Sequence, residues 1–318
     1  MLDKKSDENA TLAGDKSIAP PHPQVKSLDR LAIALMLLFC ASWGVQQVTA
    51  KIALSEVPAM IQATIRSFGA SVIVAIYAVW REPDLFRADG TFWLGTLCGI
   101  LFGLEFVGIY IGLDLSNASH VILFVYTAPF FVAVALPLFV PAERLTRLQW
   151  AGMAACFCGV ALGLQVSLAA SWRVFAGDVL AILGAAIWAA TTVLIKATKL
   201  RELSATKILL YQLVASVPVL GAFAWARGEV WPTHVSWLNV ANVAYQTVWI
   251  AAVTYLGWFW LMRRYRATEM SAFTFITPVI GVFAGYVFLG ERLGPEFFLA
   301  AALVAVGLVL VNWHGARR

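Results

Sequence analysis

Two ionisable residues of this 318-residue chain lie inside long apolar stretches, Arg66 and Glu105. A charge at membrane depth is costly, and it persists where it pairs, faces a water-filled cavity or binds something. Counted from the ends of their segments, both sit about eight residues from the same boundary, roughly 12 Å deep at ~1.5 Å per residue. Equal depth on consecutive antiparallel helices lets them meet, so a salt bridge, or a substrate held between them, is expected. In the functional reading Arg66 holds a substrate carboxylate, or Glu105 accepts a coupling proton. The alternative is an ion pair that only fixes helix packing.

Other polar side chains gather near these two. Gln46, Gln47, Lys51, Tyr110 and His120 lie toward the same boundary, and Thr191, Thr192, Lys196, Tyr211 and Thr254 lie toward the opposite one. Gln46 and Gln47 are neighbours and cannot face one direction, so one of them is expected to line a cavity. Lys51 and Lys196 end their helices, where long side chains reach back to the interface. Tyr126, Thr127, Thr274 and Thr277 flank Pro129 and Pro278. A proline frees a carbonyl and bends a helix, which suits a moving gate and equally suits a static kink. His120 opens its segment, where it is a candidate pH-sensitive group, although a lone histidine there more often meets interfacial water.

These residues need long apolar elements to carry them, and the composition supplies little else. Hydrophobic residues make up 61% of the chain and charged residues 13%, with mean hydropathy +0.79. Soluble domains run near half apolar and a quarter charged, so lipid must be part of the solvent. The net charge of +5 resides in short connectors, which argues for membrane orientation rather than nucleic-acid binding. Cys40, Cys98, Cys156 and Cys158 all fall in apolar segments, and Cys156 and Cys158 point to different helix faces, so they read as small packing residues.

Apolar runs at roughly 31–50, 58–79, 92–113, 117–139, 149–168, 176–197, 206–226, 239–261, 268–289 and 295–313 each approach the ~20 residues that cross the hydrocarbon core as a helix. With the termini placed in the cytoplasm, only Lys51, Arg173, Arg227 and Arg292 fall outside and only Arg66 within a helix; every other Lys and Arg is inside. This asymmetry supports ten helices with both ends cytoplasmic in the inner membrane. Residues 1–29 are polar and read as a disordered cytoplasmic tail, and 314–318 as a second tail.

The two halves, 30–169 and 170–313, echo each other. Trp43 precedes Lys51 by the same interval as Trp188 precedes Lys196, and Ala118 precedes Pro129 as Ala267 precedes Pro278. Glu143-Arg144-Leu145 is repeated as Glu291-Arg292-Leu293, and a glycine follows each at the same distance, Gly159 and Gly307. Five helices per half is an odd number, so the second copy enters the membrane upside down. Inverted repeats that exchange conformations give alternating access to a site between them.

On these residues the chain resembles the EamA-type members of the drug/metabolite transporter superfamily. The matching features are Trp43-Gly44, Arg66, Pro129, Glu143-Arg144-Leu145, Gln149-Trp150-Ala151-Gly152 and Gly159, with a weaker second copy. The resemblance covers about 31–313. It implies ten helices, cytoplasmic termini and secondary transport, often export, of small organic solutes such as amino acids. The second copy departs at the position matching Arg66, which holds Tyr211, so any site is asymmetric. An intramembrane enzyme is disfavoured, because His-Glu-x-x-His, Gly-x-Ser-x-Gly and a phosphate-binding loop are all missing; a receptor or partner subunit would normally bring a soluble domain. The expected partners are therefore a small-molecule substrate, a candidate coupling proton and lipid, with no cofactor and no metal.

Overall fold

The computed structural model describes residues 29–139, 146–262, 264–265, 273–274 and 276–312. Glu143-Arg144-Leu145, both tails and the start of the 268–289 segment lie outside the described residues.

The helices are α1 (Arg30–Ala53), α2 (Ala59–Arg81), α3 (Phe92–Leu115), α4 (Ala118–Val125), α5 (Ala128–Phe139), α6 (Arg147–Ala170), α7 (Trp172–Ala197), α8 (Ala205–Ala226), α9 (Trp237–Ala244), α10 (Tyr255–Met262), α11 (Ile276–Leu289) and α12 (Pro295–Asn312). Counting α4 and α5 as one span, seven are long and apolar enough to cross a membrane among the described residues. Their starts are set by side chains that accept the first free backbone N–H groups: Asp29 for α1, Thr146 with Gln149 in a capping box for α6, and Ser171, Ser204 and Ser236 for α7, α8 and α9. The surfaces left over are apolar, with Phe68, Ile76, Phe157, Val279 and Phe283 exposed, as suits a wall against lipid.

Two spans are interrupted. The 117–139 run breaks at Tyr126-Thr127, where the Thr127 hydroxyl donates to the Phe124 carbonyl at 2.5 Å. Pro129 follows as the second residue of α5, where its missing N–H breaks no helical bond. The 239–261 run passes from α9 through a π-helical stretch, Tyr245–Thr254, into α10. The wider turn shifts which residues face inward, and it buries Gln246 and Thr254.

Small residues decide which helices touch. On α3, Gly103 meets Ser216 and Val219 of α8, while Gly108 and Gly112 meet backbone at Leu180 and Gly177 of α7. A side chain at any of these would strike its neighbour, so the glycines let backbones approach closely. The repeated pair Gly159 and Gly307 packs α6 on α12: a Cβ on Gly159 would come 2.8 Å from the Ala300 carbonyl, and one on Gly307 would come 2.6 Å from the Gly152 carbonyl. Gly281 and Gly285 of α11 face Ile122, Ser119 and Glu291, so they serve packing within the chain. The pairings are reciprocal between halves: α3 packs on α7 and α8, while the α9–α10 run packs on α1 and α2; α7 meets α4 and α5, while α1 meets α11.

Candidate functional site

At the centre, α2, α3, the π-helical stretch and α10 bring polar groups into an apolar interior. Arg66 is fully buried on α2. Its guanidinium lies 4.0 Å from the centre of the Phe106 ring and donates from Nη2 to the Tyr255 hydroxyl at 3.3 Å, while Nε and Nη1 have no partner. Glu105, 6% exposed, leaves Oε2 without a partner. Tyr110 donates to Gln246 Oε1 at 2.5 Å, which orients that amide and leaves its Nε2 unpaired. Gln62, one turn from Arg66, donates to the Ala50 carbonyl at 3.3 Å and keeps Oε1 unpaired, as does Gln47 on α1.

The expected salt bridge does not form: among the described residues no ion pair within 4.0 Å joins Arg66 to Glu105. The reason is helical geometry. Arg66 stacks on Phe106, and its neighbour Glu105 points about 100° away on the same helix. Each unpaired buried polar atom costs about 1–3 kcal/mol, and charged ones more. The unpaired atoms at the centre include both hydrogen-bond donors and acceptors.

Other candidates distribute differently. Thr254 is already satisfied, since it receives Trp43 Nε1 at 2.8 Å and donates to the Ile250 carbonyl at 2.7 Å. It ties α1 to the π-helical stretch. Gln46 is buried on α1, and Tyr126 sits at the α4–α5 break with its ring edge-on to Trp188 at 6.1 Å. Tyr211 does not join the centre. It lies on α8 against Gly95 of α3, in the wall of an open groove of about 1050 Å³, with its hydroxyl 3.5 Å from that of Thr91. Matching Arg66 by repeat position misleads here because α8 packs on α3 near the opposite end of the bundle. Pro278 lies within the first turn of the described part of α11. Cys158 is exposed, unlike the other three cysteines.

A second polar assembly occupies the end of the bundle away from the chain termini, here the distal end. Asp178 of α7 is fully buried and accepts hydrogen bonds from Ser116 and Ser167, and its Oδ2 lies 2.8 Å from His120 Nδ1. The His120 ring stacks on Phe297 at 4.7 Å. His120 thus meets a carboxylate rather than interfacial water. Lys51 donates to the carbonyls of Leu113 and Ser116 at the end of α3. Glu291, in the repeated tripeptide, accepts from Ala118 N at 2.7 Å and Ser119 N at 3.0 Å, capping α4. Glu229 caps α2 through Met60 N at 2.9 Å and Ile61 N at 3.0 Å, Arg227 joins Glu229 and Asp114 at 3.0 Å each, and Glu56 accepts from Ser236 N at 2.6 Å. That last bond is the main reason the Glu56 carboxyl is held below its ordinary range.

Gln246, Tyr255 and Asp178 escaped the sequence reading. A polar side chain inside an apolar run signals Gln246 and Asp178, whereas the π-helical stretch that aims Gln246 leaves no sequence mark.

Known proteins place this architecture. The model of the EamA-like transporter family matches twice, over residues 30–164 and 175–313. The uncharacterized transporter YvbV of Bacillus subtilis is 26% identical over 91% of this chain and 94% of its own. A protein named probable amino-acid metabolite efflux pump in Salmonella typhimurium is 26% identical over 89% and 95%. A riboflavin transporter of Rhizobium johnstonii is 28% identical over 65% and 66%. A crystal structure superposes with TM-score 0.61 over 89% of this chain and 97% of its own at 18% identity, a likeness of fold alone. With both halves matched, the chain belongs to the EamA-like transporter family, multi-pass membrane proteins of the drug/metabolite transporter superfamily.

Proposed function

We propose that this protein is a secondary transporter that exports a small organic metabolite, an amino acid or a related amphipathic solute, from the cytoplasm. It crosses the inner membrane ten times with both termini inside, as two inverted five-helix repeats. The reading takes α4 with α5, and α9 with α10, as single crossings, and the distal end as the outer end. Reciprocal helix pairings between the halves support the inverted arrangement, and a relative named as an amino-acid metabolite efflux pump supports the substrate class.

One observation carries the proposal: Arg66 and Glu105 are buried at the centre and neither is paired to the other. Arg66 binds the carboxylate of the solute, with Phe106 and Tyr255 beside its apolar part. Glu105 receives the ammonium of the solute or a coupling proton. Gln46, Gln47, Tyr110, Tyr126 and Gln246 line the path, and the breaks at Pro129 and Pro278 let α4 and α5, and the α11 span, flex as the halves rock. Gradient-driven flux in proteoliposomes tests this. Efflux of an amino acid that falls at least tenfold in Arg66→Lys and Glu105→Gln supports it. No flux of any solute in a broad metabolite panel contradicts it.

A further inference from the structure

The distal polar assembly contains a titratable pair that the transport reading leaves unused. Asp178 is 0% exposed, yet its two oxygens take every donor within reach: the hydroxyls of Ser116 and Ser167 and Nδ1 of His120 at 2.8 Å. These four residues come from different places: the residue after α3, then α4, α6 and α7. The carboxylate is therefore the one point at which four elements of the distal end are joined. None of the four can part from the others without stripping Asp178 of a donor.

Charged groups of both signs approach this pair. Lys51 on α1, Arg173 on α7, Arg227 after α8 and Arg292 before α12 bring positive charge to this end. Asp114 on α3, Glu291 before α12, and Glu296 on α12 bring negative charge, while α6 contributes Ser167 and the described part of α11 nothing charged. The Phe297 ring stacked at 4.7 Å and 13° gives an imidazolium a π face to rest on. Serine donors and an imidazolium are also the set that an ionised carboxylate needs when no water reaches it.

We propose that His120 and Asp178 form a proton-binding site that latches the distal end shut. The inference rests on the transporter reading for its purpose, though not for its test. With the proton bound, the pair is a neutral, hydrogen-bonded unit that suits burial. Without it, a net negative charge remains at a dry contact, and the ends of α3, α4, α6 and α7 separate more readily so that water reaches Asp178. Proton binding and closure therefore favour each other: acid on this side holds the end closed, and alkali releases it. Glu105, at the centre, is not the group that sets this response.

Distance measurement between spin labels at Trp172→Cys and Thr233→Cys tests the latch without any substrate. The protein is the full chain in lipid nanodiscs with the four native cysteines replaced by alanine. Between about pH 5.5 and about pH 8, the wider distance population is expected to grow roughly fivefold or more. His120→Gln and Asp178→Asn should each flatten that dependence, and Glu105→Gln should leave it intact. A distribution that ignores pH in the parent protein overturns the latch, as does a pH response that survives His120→Gln. Flux experiments have no part in these outcomes, so transport and latch can fail separately.

Discussion

The two ends of the helix bundle are tied by different kinds of contact. At the distal end, buried carboxylates meet backbone N–H groups and buried hydroxyls: Asp178 joins α4, α6 and α7, Glu291 caps α4, and Glu229 caps α2. At the end where α1 begins, the ties include an ion pair that is partly open to solvent. Lys207 reaches Asp89 at 2.7 Å and the Arg87 carbonyl at 3.1 Å, Thr206 donates to Glu82 at 2.8 Å, and Tyr265 donates to Asp29 at 2.6 Å. Exposed ion pairs contribute ~0–1 kcal/mol, whereas breaking a buried one by removing a partner costs about 3–5 kcal/mol. The distal end is thus held as a unit, and the terminal end is held by side chains that exchange readily with water.

Substitutions can break that contrast, and the largest effect belongs to Asp178. Asp178→Ala leaves two buried hydroxyls and a histidine without their acceptor, and should lower stability by about 3 kcal/mol or more in denaturant titration. Glu291→Ala removes the cap from α4 and should cost about 1–2 kcal/mol, read as a lower melting temperature in detergent. In the middle of the bundle, Thr254→Val loses one bond to Trp43 and should cost about 1 kcal/mol by the same assay.

The smallest effect is expected at the terminal end, where Asp89→Asn should lower the melting temperature only slightly, since the pair is partly exposed. Asp89 nevertheless has a pH signature. Its hydrogen bonds to Lys207, and then to Thr91, hold the carboxyl down from 3.8 to about 2. A carboxylate held below its unfolded value adds stability that is complete above about 4 and is lost as pH falls toward 2. The protection factors of amides at the start of α8, corrected for intrinsic exchange, should therefore be flat from about pH 8 to 5 and fall only in stronger acid. An early fall near neutrality would show that the two ends do not differ as described.

The sequence carried the helices, because continuous apolar runs admit no other backbone solution in lipid. It also carried the glycine seams and the two buried charges. It did not carry their relationship. Arg66 and Glu105 were matched by depth, which is legible, but the 100° turn between Glu105 and Phe106 decides which of them faces Arg66, and that depends on how α2 leans on α3. Tyr211 was matched to Arg66 by repeat position, yet its ring packs on Gly95 of α3 in a groove wall, away from the centre. His120 and Lys51 each lie near a segment end, which points to the interface. Their partners, Asp178 and two carbonyls, come from segments far along the chain. Long-range partners of this kind are set by packing and leave no local pattern.

The central claim is that Arg66 and Glu105 stay unpaired in order to receive a solute. Thermal stability of the purified protein against a panel of amino acids and related metabolites tests it most directly, in the parent chain and in Arg66→Ala and Glu105→Gln. The account predicts that one solute class raises the melting temperature of the parent, and that the folded variants lose this rise. Variants that stay folded and keep the full rise, or a parent that no solute in the panel stabilises while both variants unfold unaided, would contradict it and make the two charges part of the scaffold.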